Sequence, residues 1–213
     1  MTLTGIVLAG GRSSRFGSDK LAAPMAGSTI LGATVGVLAS LADGVIVAGA
    51  ALPDGFVGGD VPVALVPDHE PFAGPLVALA GVLATSADDP DDVAIVAAGD
   101  MPRLVPAVLH AMVAALQQRP TVEAVWLGLH EATIDRDDAE PPRRQVLPLA
   151  IRVQPAARAS REAVEAGQRS LQALVDRMAA IELPFAAWSA LDPEEQTLLD
   201  VDTPGDLDRL RSG

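Results

Sequence analysis

Residues 8–20 contain the side chains best suited to chemistry, and they read LAGGRSSRFGSDK. This segment follows an apolar run and has three glycines, three serines, two arginines and Lys20, the single lysine of the chain. Glycines after a buried strand can adopt positive φ and turn backbone N–H groups toward an anion. Arg12, Arg15 and Lys20 add positive charge to that turn. The composition predicts a cationic cradle for phosphate groups rather than an ordinary turn between a strand and a helix.

The glycine spacing excludes two common phosphate-binding motifs. No Gly-Lys-Ser/Thr sequence occurs, so the segment is not a Walker A loop. Gly10, Gly11 and Gly17 do not fit the dinucleotide-binding pattern G-x-G-x-x-G. ATPase and NAD-dependent dehydrogenase functions therefore lose their main support.

The segments around this loop alternate between strand-like and helix-like patterns. Five short apolar runs predict buried strands: residues 4–9, 44–49, 62–66, 93–98 and 122–127. Three segments have helical length and spacing: residues 29–41, with Ser28 as a candidate cap, 74–84 and 104–118. This alternation predicts an α/β fold with a mostly parallel central sheet and helices on both faces. In such folds, ligands bind beyond the carboxyl ends of the strands.

The second half of the chain is less regular. Residues 131–144 contain eight charged residues and two prolines in fourteen positions, which predicts a flexible charged loop. A strand-like run, two helical segments and an extended stretch follow at 146–153, 156–166, 170–180 and 181–185. Thr203 as N-cap, Pro204 and Asp206 predict a terminal helix. Because no repeat or linker is visible, we expect a single domain over residues 1–213.

Residues 8–20 resemble the signature loop of nucleotidyltransferases that make activated sugars and cofactors, written L-A-G/A-G-x-S-x-R-M/F-G-x-D-K. The double glycine and the final Asp-Lys are most similar to the molybdenum cofactor guanylyltransferases. One position of thirteen departs from the usual residue: Phe16 stands where methionine is common. The match is therefore specific.

The resemblance continues along most of the chain. Pro67-Asp68 with Gly74-Pro75-Leu76 resembles the family's Asp and Gly-Pro-Leu segment, and residues 98–102 (AGDMP) resemble its C-D-x-P element, with Gly99 in place of cysteine. Residues 199–207 (LDVDTPGDL) resemble N-x-N-T-P-E-D/E-L, with Asp200 and Asp202 replacing the two asparagines.

The resemblance implies a three-layer Rossmann-like nucleotidyltransferase fold. It also implies transfer of GMP from GTP to the phosphate of molybdenum-loaded molybdopterin, with release of pyrophosphate and with Mg²⁺ as cofactor. The implied catalytic residues are Arg15, Lys20 and Asp100, and the implied metal ligands are Asp100 and Asp202. The implied nucleotide-binding residues are Leu8, Ala9, Gly10, Gly11, Lys20, Asp68 and Asp100.

Asp100 and Asp68 also have physical interpretations of their own. Asp100 follows a buried strand at its carboxyl end, where a carboxylate can hold Mg²⁺, or it caps the helix at 104–118. The Asp68 carboxylate can accept two hydrogen bonds from the N1–H and N2–H₂ edge of guanine, or it forms a turn before Pro71.

Asp200 and Asp202 allow two interpretations. Alternate residues of an extended segment point to the same side, so both carboxylates can face the active-site crevice and, with Asp100, form an anionic metal site. The alternative is that Asp202-Thr203-Pro204 is only the entry to a helix.

Charge and composition limit the partners. A net charge of −13 without a basic stripe excludes general nucleic-acid binding. The chain has no cysteine, which excludes disulfides, Fe–S clusters and thiolate zinc sites. Neither a signal peptide nor a membrane span is visible, so we expect a cytoplasmic protein, and we expect a monomer. The expected partners are GTP, a molybdopterin-type acceptor and, transiently, molybdoenzyme maturation proteins.

Other functions remain open from the sequence. One is cytidylyl transfer to the same kind of cofactor, or nucleotidyl transfer to a sugar or alcohol phosphate. Another is a non-catalytic nucleotide-binding maturation factor that kept the phosphate cradle and lost the acceptor site. A nucleotide panel distinguishes the first, and binding of Mg-GTP without turnover would indicate the second.

Overall fold

The computed structural model describes residues 1–10, 19–25, 27–49, 52, 56, 60–67, 73–85, 89–129 and 145–212. Residues 211 and 212 are described by their backbone only. The strands in these ranges are β1 (Leu3–Leu8), β2 (Pro24–Met25), β3 (Ser28–Thr29), β4 (Gly44–Ala48), β5 (Val63–Val66), β6 (Val93–Ala98), β7 (Ala124–Leu127), β8 (Leu149–Arg152) and β9 (Ala180–Leu183). The helices are α1 (Ile30–Ala39), α2 (Pro75–Leu83), α3 (Pro106–Gln117), α4 (Val153–Glu165), α5 (Leu171–Val175), α6 (Phe185–Trp188) and α7 (Pro204–Ser212).

The central sheet is mostly parallel, as the sequence predicts. The described residues form a seven-stranded sheet in the order β5-β4-β1-β6-β8-β7-β9. Strand β1 lies between β4 and β6 in parallel register, and β8 alone runs antiparallel to its neighbours, β6 and β7. Since β1 and β6 are adjacent and parallel, their carboxyl ends lie side by side.

Alternate side chains of β1 enter two different cores, which makes the fold three-layered. Val7 packs on one face with residues of α1, α3 and α6. Ile6 and Leu8 pack on the other face with residues of α2, α4 and α5. Burial on both faces explains why these strands read as continuous apolar runs rather than as alternating patterns.

A smaller core joins the C-terminal segment to the chain before α1. Val201 and Leu207 are buried against Met25 and Ile30. The start of α7 follows the predicted capping pattern: the Asp206 N–H donates to Thr203 Oγ1, and the Thr203 N–H donates to Asp206 Oδ2 at 2.7 Å. This reciprocal pair satisfies two N-terminal donors of the helix.

Several predicted boundaries are wrong. The helix predicted at 170–180 is shorter in the structure, where it is α5 and ends at Val175. Residues from Ala180 onward instead pair in parallel with β7 as strand β9. The helix predicted from 156 begins at Val153, since Pro155 lies in the first turn, where its missing N–H costs nothing. Thr29 rather than Ser28 caps α1: its Oγ1 accepts a hydrogen bond from the Gly32 N–H.

Two further predictions concern the charged loop and membrane-spanning segments. The charged loop predicted at 131–144 lies outside the described residues. No helix in the described part of the chain is long and apolar enough to cross a membrane.

Candidate active site

The candidate site lies where β1 and β6 end. Leu8 pairs with Ala98, the Gly99 N–H donates to the Leu8 carbonyl at 3.0 Å, and the Ala9 N–H donates to the Ala48 carbonyl at 2.7 Å. The Leu8 carbonyl and the Ala9 N–H therefore already have hydrogen-bond partners within the protein. The exposed Gly10 is the first residue of the predicted cradle beyond these bonds.

Lys20 reaches this edge from a short helical turn. The turn of 3₁₀ helix at Lys20–Ala22 is capped by Asp19, whose Oδ1 accepts a hydrogen bond from the Leu21 N–H. The Lys20 ammonium donates to Asp100 Oδ2 at 2.5 Å and to Asp202 Oδ1 at 3.1 Å. Three residues that the sequence singled out, from distant parts of the chain, thus meet at one point.

Backbone contacts fix the chain at Asp100 relative to the chain at Asp202. The Val201 N–H donates to the Asp100 carbonyl at 2.9 Å, and the Val201 side chain is fully buried. Asp202 follows directly, so its position is set by the same anchor. Asp202 is half exposed, with 51% of its side chain accessible, whereas the Asp100 side chain is 20% exposed.

The alternative in which Asp100 caps α3 is wrong. Helix α3 begins at Pro106 with Val105 at the N-cap position. The Val105 N–H instead donates to Thr197 Oγ1 at 3.1 Å. The Asp100 carboxylate therefore has no capping role and is available to cations.

Gly99 provides room for the turn that carries Lys20. A Cβ at this position would lie 3.2 Å from Leu21 Cδ1 and 3.3 Å from Leu31 Cδ1. The Gly99 carbonyl also accepts a hydrogen bond from Thr34 Oγ1 at 3.1 Å. The absence of a side chain lets Leu21 pack closely against the end of β6, next to Lys20.

The cluster alters the acidity of two groups. Burial lowers the pKa of Lys20, but hydrogen bonds to Asp100 and Asp202 and their charges outweigh burial and raise the pKa overall. Lys20 therefore stays an ammonium at neutral pH. Burial, followed by the charges of Asp202 and Asp100, raises the pKa of Asp200, because ionisation would place another negative charge beside two others.

A cavity of about 720 Å³ opens beside Asp100 on the α2 and α5 side of the sheet. Its described lining comes from four segments and Asp200: Gly74, Pro75, Ala98, Asp100, Met101, Gln145, Val146, Leu147, Arg169, Ser170, Leu171 and Gln172. Arg169 is the one cation among these lining residues. The volume suits a small organic molecule.

Gly74, the first residue of the Gly-Pro-Leu segment, lines this cavity and packs closely against Arg169. Its φ is +106°, and a Cβ would lie 2.8 Å from the Arg169 carbonyl oxygen. That oxygen accepts a hydrogen bond from the Leu76 N–H at 3.2 Å. The predicted start of α2, with Pro75 at the first position, is confirmed, and the glycine before it is required for close approach.

Several predicted residues lie outside the described ranges: Gly11, Arg12, Arg15 and Asp68. Conversely, sequence reasoning missed Arg169 and the polar residues Gln145, Ser170 and Gln172 of the cavity. The sequence around these residues has only one feature that could have indicated them, a glycine at the end of the preceding helix. Gly167, with φ +78°, marks the end of α4, so a polar connection was foreseeable there but its direction was not.

No group of three or more histidine, aspartate or glutamate side chains among the described residues has an arrangement that holds a metal ion by itself. Asp100 and Asp202 are nevertheless directed at one cation, the Lys20 ammonium. A pair of carboxylates is the type of partial site that Mg²⁺ uses when water and substrate phosphates supply its other ligands.

Comparison with other proteins shows similarity over most of the chain. A family model described as the MobA-like NTP transferase domain matches residues 5–181. A probable molybdenum cofactor guanylyltransferase from Chloroflexus aggregans is 33% identical over 210 residues, which span 97% of this chain and 92% of that protein. One from Mycobacterium avium is 32% identical over 216 residues, spanning 99% of this chain and 95% of that protein.

Solved structures share the fold. The molybdopterin-guanine dinucleotide biosynthesis protein A of Archaeoglobus fulgidus superposes with a TM-score of 0.70 at 19% identity, covering 98% of this chain and 97% of that one. The 4-diphosphocytidyl-2C-methyl-D-erythritol synthase of Anaerococcus prevotii superposes with a TM-score of 0.68 at 13% identity, covering 99% and 97%. The predicted fold class, three-layered with a mostly parallel sheet, is thereby confirmed.

Proposed function

The chain belongs to the MobA-like NTP transferase family, and we propose that it transfers GMP from GTP to the phosphate of a molybdopterin-type acceptor. Relatives with this named activity match nearly the whole chain at about one third identity. The observation that carries the proposal is the meeting of Lys20, Asp100 and Asp202 where β1 and β6 end, beside a cavity large enough for an acceptor.

In the reaction, an oxygen of the acceptor phosphate attacks the α-phosphorus of GTP. A new P–O bond forms, the bond from the α-phosphorus to the bridging oxygen breaks, and pyrophosphate leaves with that electron pair. The acceptor phosphate is already ionised at neutral pH, so no strong general base is required. The protein contributes positioning and neutralisation of charge.

Lys20 and the exposed Gly10 lie where the triphosphate would enter. Arg15 and Gly11 are proposed to extend this cradle, and Asp68 to accept the guanine edge. Asp100 and Asp202 would hold a divalent cation, which we take to be Mg²⁺, since their oxygens converge on one cationic position. When bound, the cation would neutralise charge on the phosphate oxygens.

The cavity is the proposed acceptor site. Arg169 adds a positive charge to the lining, and its Nη1 donates to the Val164 and Gln168 carbonyls. Gln145 and Gln172 add amide side chains whose Nε2 groups donate to the Leu198 carbonyl and to Asp176 Oδ1. Asp100 borders both this cavity and the Lys20 cluster. An acceptor held there would present its phosphate toward the triphosphate side. The close approach of Gly74 to the Arg169 carbonyl oxygen holds two walls of this cavity together.

A nucleotide panel with molybdenum-loaded molybdopterin tests the proposal. GTP, CTP and ATP are supplied separately with Mg²⁺, pyrophosphate is followed over time, and the product mass is determined. We expect pyrophosphate release with GTP and a product heavier than the acceptor by one guanylyl group, that is, GMP less one water. A preference for CTP would contradict the base assignment, and tight binding of Mg-GTP without any product would favour the non-catalytic maturation factor.

A further inference from the structure

The Lys20 ammonium occupies the position on Asp100 and Asp202 that a divalent cation would take. Its nitrogen lies 2.5 Å from Asp100 Oδ2 and 3.1 Å from Asp202 Oδ1. A magnesium ion bound by the same oxygens would sit about 2.0–2.1 Å from each of them. An ammonium and a divalent ion cannot share these oxygens at such distances without strong repulsion.

The backbone segments that carry the two carboxylates are fixed relative to each other, whereas the ammonium lies at the end of a long side chain. Asp100 and Asp202 are held together by the hydrogen bond from the Val201 N–H to the Asp100 carbonyl and by the buried Val201 side chain. Lys20 is attached through a flexible four-carbon chain to a turn whose backbone is fixed by Asp19. A change of cation can therefore occur through movement of side chains, without a change in the backbone that carries Asp100 and Asp202.

Charge balance gives the direction of this movement. Asp100 and Asp202 place two carboxylates around one ammonium, so this cluster retains negative charge when no ligand is bound. A triphosphate arriving near Lys20 brings further negative charge, and a divalent cation on the carboxylates brings a larger positive charge than the ammonium it replaces. Both changes favour transfer of the ammonium from the carboxylates to the triphosphate.

We propose that Lys20 is the counter-ion of the ligand-free site and that it exchanges its carboxylate partners for the triphosphate when a divalent cation binds to Asp100 and Asp202. The inference rests on the proposed function, because it concerns the same metal and nucleotide site. Lys20 and the metal compete in the absence of nucleotide and cooperate in its presence. Removal of the Lys20 charge therefore has opposite effects on the binding of metal alone and on the binding of nucleotide.

The single lysine makes the exchange directly observable in the wild-type protein. Protein labelled with [ε-¹³C]lysine gives one lysine signal in a carbon NMR spectrum. We expect this signal to shift when Mg²⁺ and a non-hydrolysable GTP analogue are added together to saturation. A signal that stays in place at saturation would overturn the exchange.

Metal titration of Lys20→Met provides the second test. Free Mn²⁺ is measured by electron paramagnetic resonance without nucleotide, and folding is checked by circular dichroism. We expect Lys20→Met to bind Mn²⁺ about tenfold more tightly than wild type, because a nearby positive charge is lost. In the presence of the GTP analogue, we expect the variant to bind nucleotide more weakly. Equal or weaker Mn²⁺ binding by the folded variant would overturn the proposal.

Arg158→Met is the matched control for the loss of one positive charge. Arg158 is 62% exposed and pairs with Glu123, which precedes β7 at the opposite end of the sheet. We expect its Mn²⁺ affinity to match that of wild type, and a gain equal to that of Lys20→Met would overturn a local exchange. If Lys20→Met does not fold, the NMR experiment on the wild-type protein alone tests whether Lys20 exchanges its partners.

GMP transfer by the wild type is measured separately. Transfer with an unmoved lysine signal overturns the exchange alone. A displaced lysine signal without any transfer supports the exchange and contradicts the proposed function.

Discussion

The two sides of the candidate site are constructed differently. On the nucleotide side, Lys20, Asp100 and Asp202 converge through ion pairs and a backbone anchor at the ends of buried strands. On the cavity side, Arg169 and its polar neighbours lie in the connection between α4 and α5. The first side is a cluster of ion pairs, whereas the second is a cavity lined largely by connecting segments. Substitutions on the first side should thus affect chemistry, and those on the second should affect binding of the acceptor.

The largest effect is expected for Asp100→Asn. Loss of this charge removes a proposed metal ligand and the closest partner of Lys20. We expect the rate of transfer, measured as pyrophosphate release, to fall on the order of 10³-fold, as for the removal of a group that stabilises developing charge. Asp91→Asn is the matched control, since Asp91 is exposed just before β6 at its amino end. Activity within about threefold of wild type for Asp100→Asn would refute its role.

A smaller and different effect is expected for Arg169→Ala. Arg169 is the one cation among the described cavity-lining residues, so its removal should weaken acceptor binding. We expect the KM for the acceptor to rise about fivefold, with the affinity for GTP unchanged, since an exposed charge contributes at most roughly 1 kcal/mol. Arg177→Ala, in the turn after α5, controls for the loss of charge. If the variant binds GTP more weakly and the acceptor normally, Arg169 acts on the nucleotide and not on the acceptor.

The packing of the cavity walls is tested by Gly74→Ala. The added methyl group would lie 2.8 Å from the Arg169 carbonyl oxygen, on a backbone with φ of +106°. We expect a loss of about 1–3 kcal/mol in the free energy of unfolding by urea. Gly81→Ala, in the same helix, meets nothing within 4 Å and should gain up to about 1 kcal/mol. Equal effects of the two substitutions would show that Gly74 is not a point of close approach.

The smallest effect is expected for Asp200→Asn. Because the pKa of Asp200 is raised above 3.8 in the folded state, the protonated form is favoured by folding. Stability from this group is therefore present below pH 3.8 and lost as the pH rises through the folded pKa. At pH 7 the asparagine variant should melt roughly 1–3 °C higher than wild type, and the difference should shrink in acid. A lower melting temperature for the variant at pH 7 would contradict this.

The nucleotide side was largely predictable from local patterns. Asp100 follows a buried apolar strand, and Thr203, Pro204 and Asp206 form a recognisable helix start, which together position Asp202. The cavity side was not predictable. Arg169 lies at the cavity because its carbonyl oxygen packs on Gly74 and accepts a hydrogen bond from the Leu76 N–H, a contact between segments far apart in the chain. The helical pattern predicted at 170–180 also gave way to a long-range contact, the pairing of β9 with β7. Conversely, the meeting of Lys20 with Asp202 required the complete fold.

The most direct test of the central claim is GMP transfer by Lys20→Met under single-turnover conditions, with saturating GTP, Mg²⁺ and loaded molybdopterin. The two arms are Lys20→Met and Arg158→Met, each shown by circular dichroism to be folded. If Lys20, Asp100 and Asp202 form the transfer site, Lys20→Met should transfer GMP at least about 10²-fold more slowly than wild type, while Arg158→Met is unchanged. Transfer at the wild-type rate by folded Lys20→Met would contradict the account.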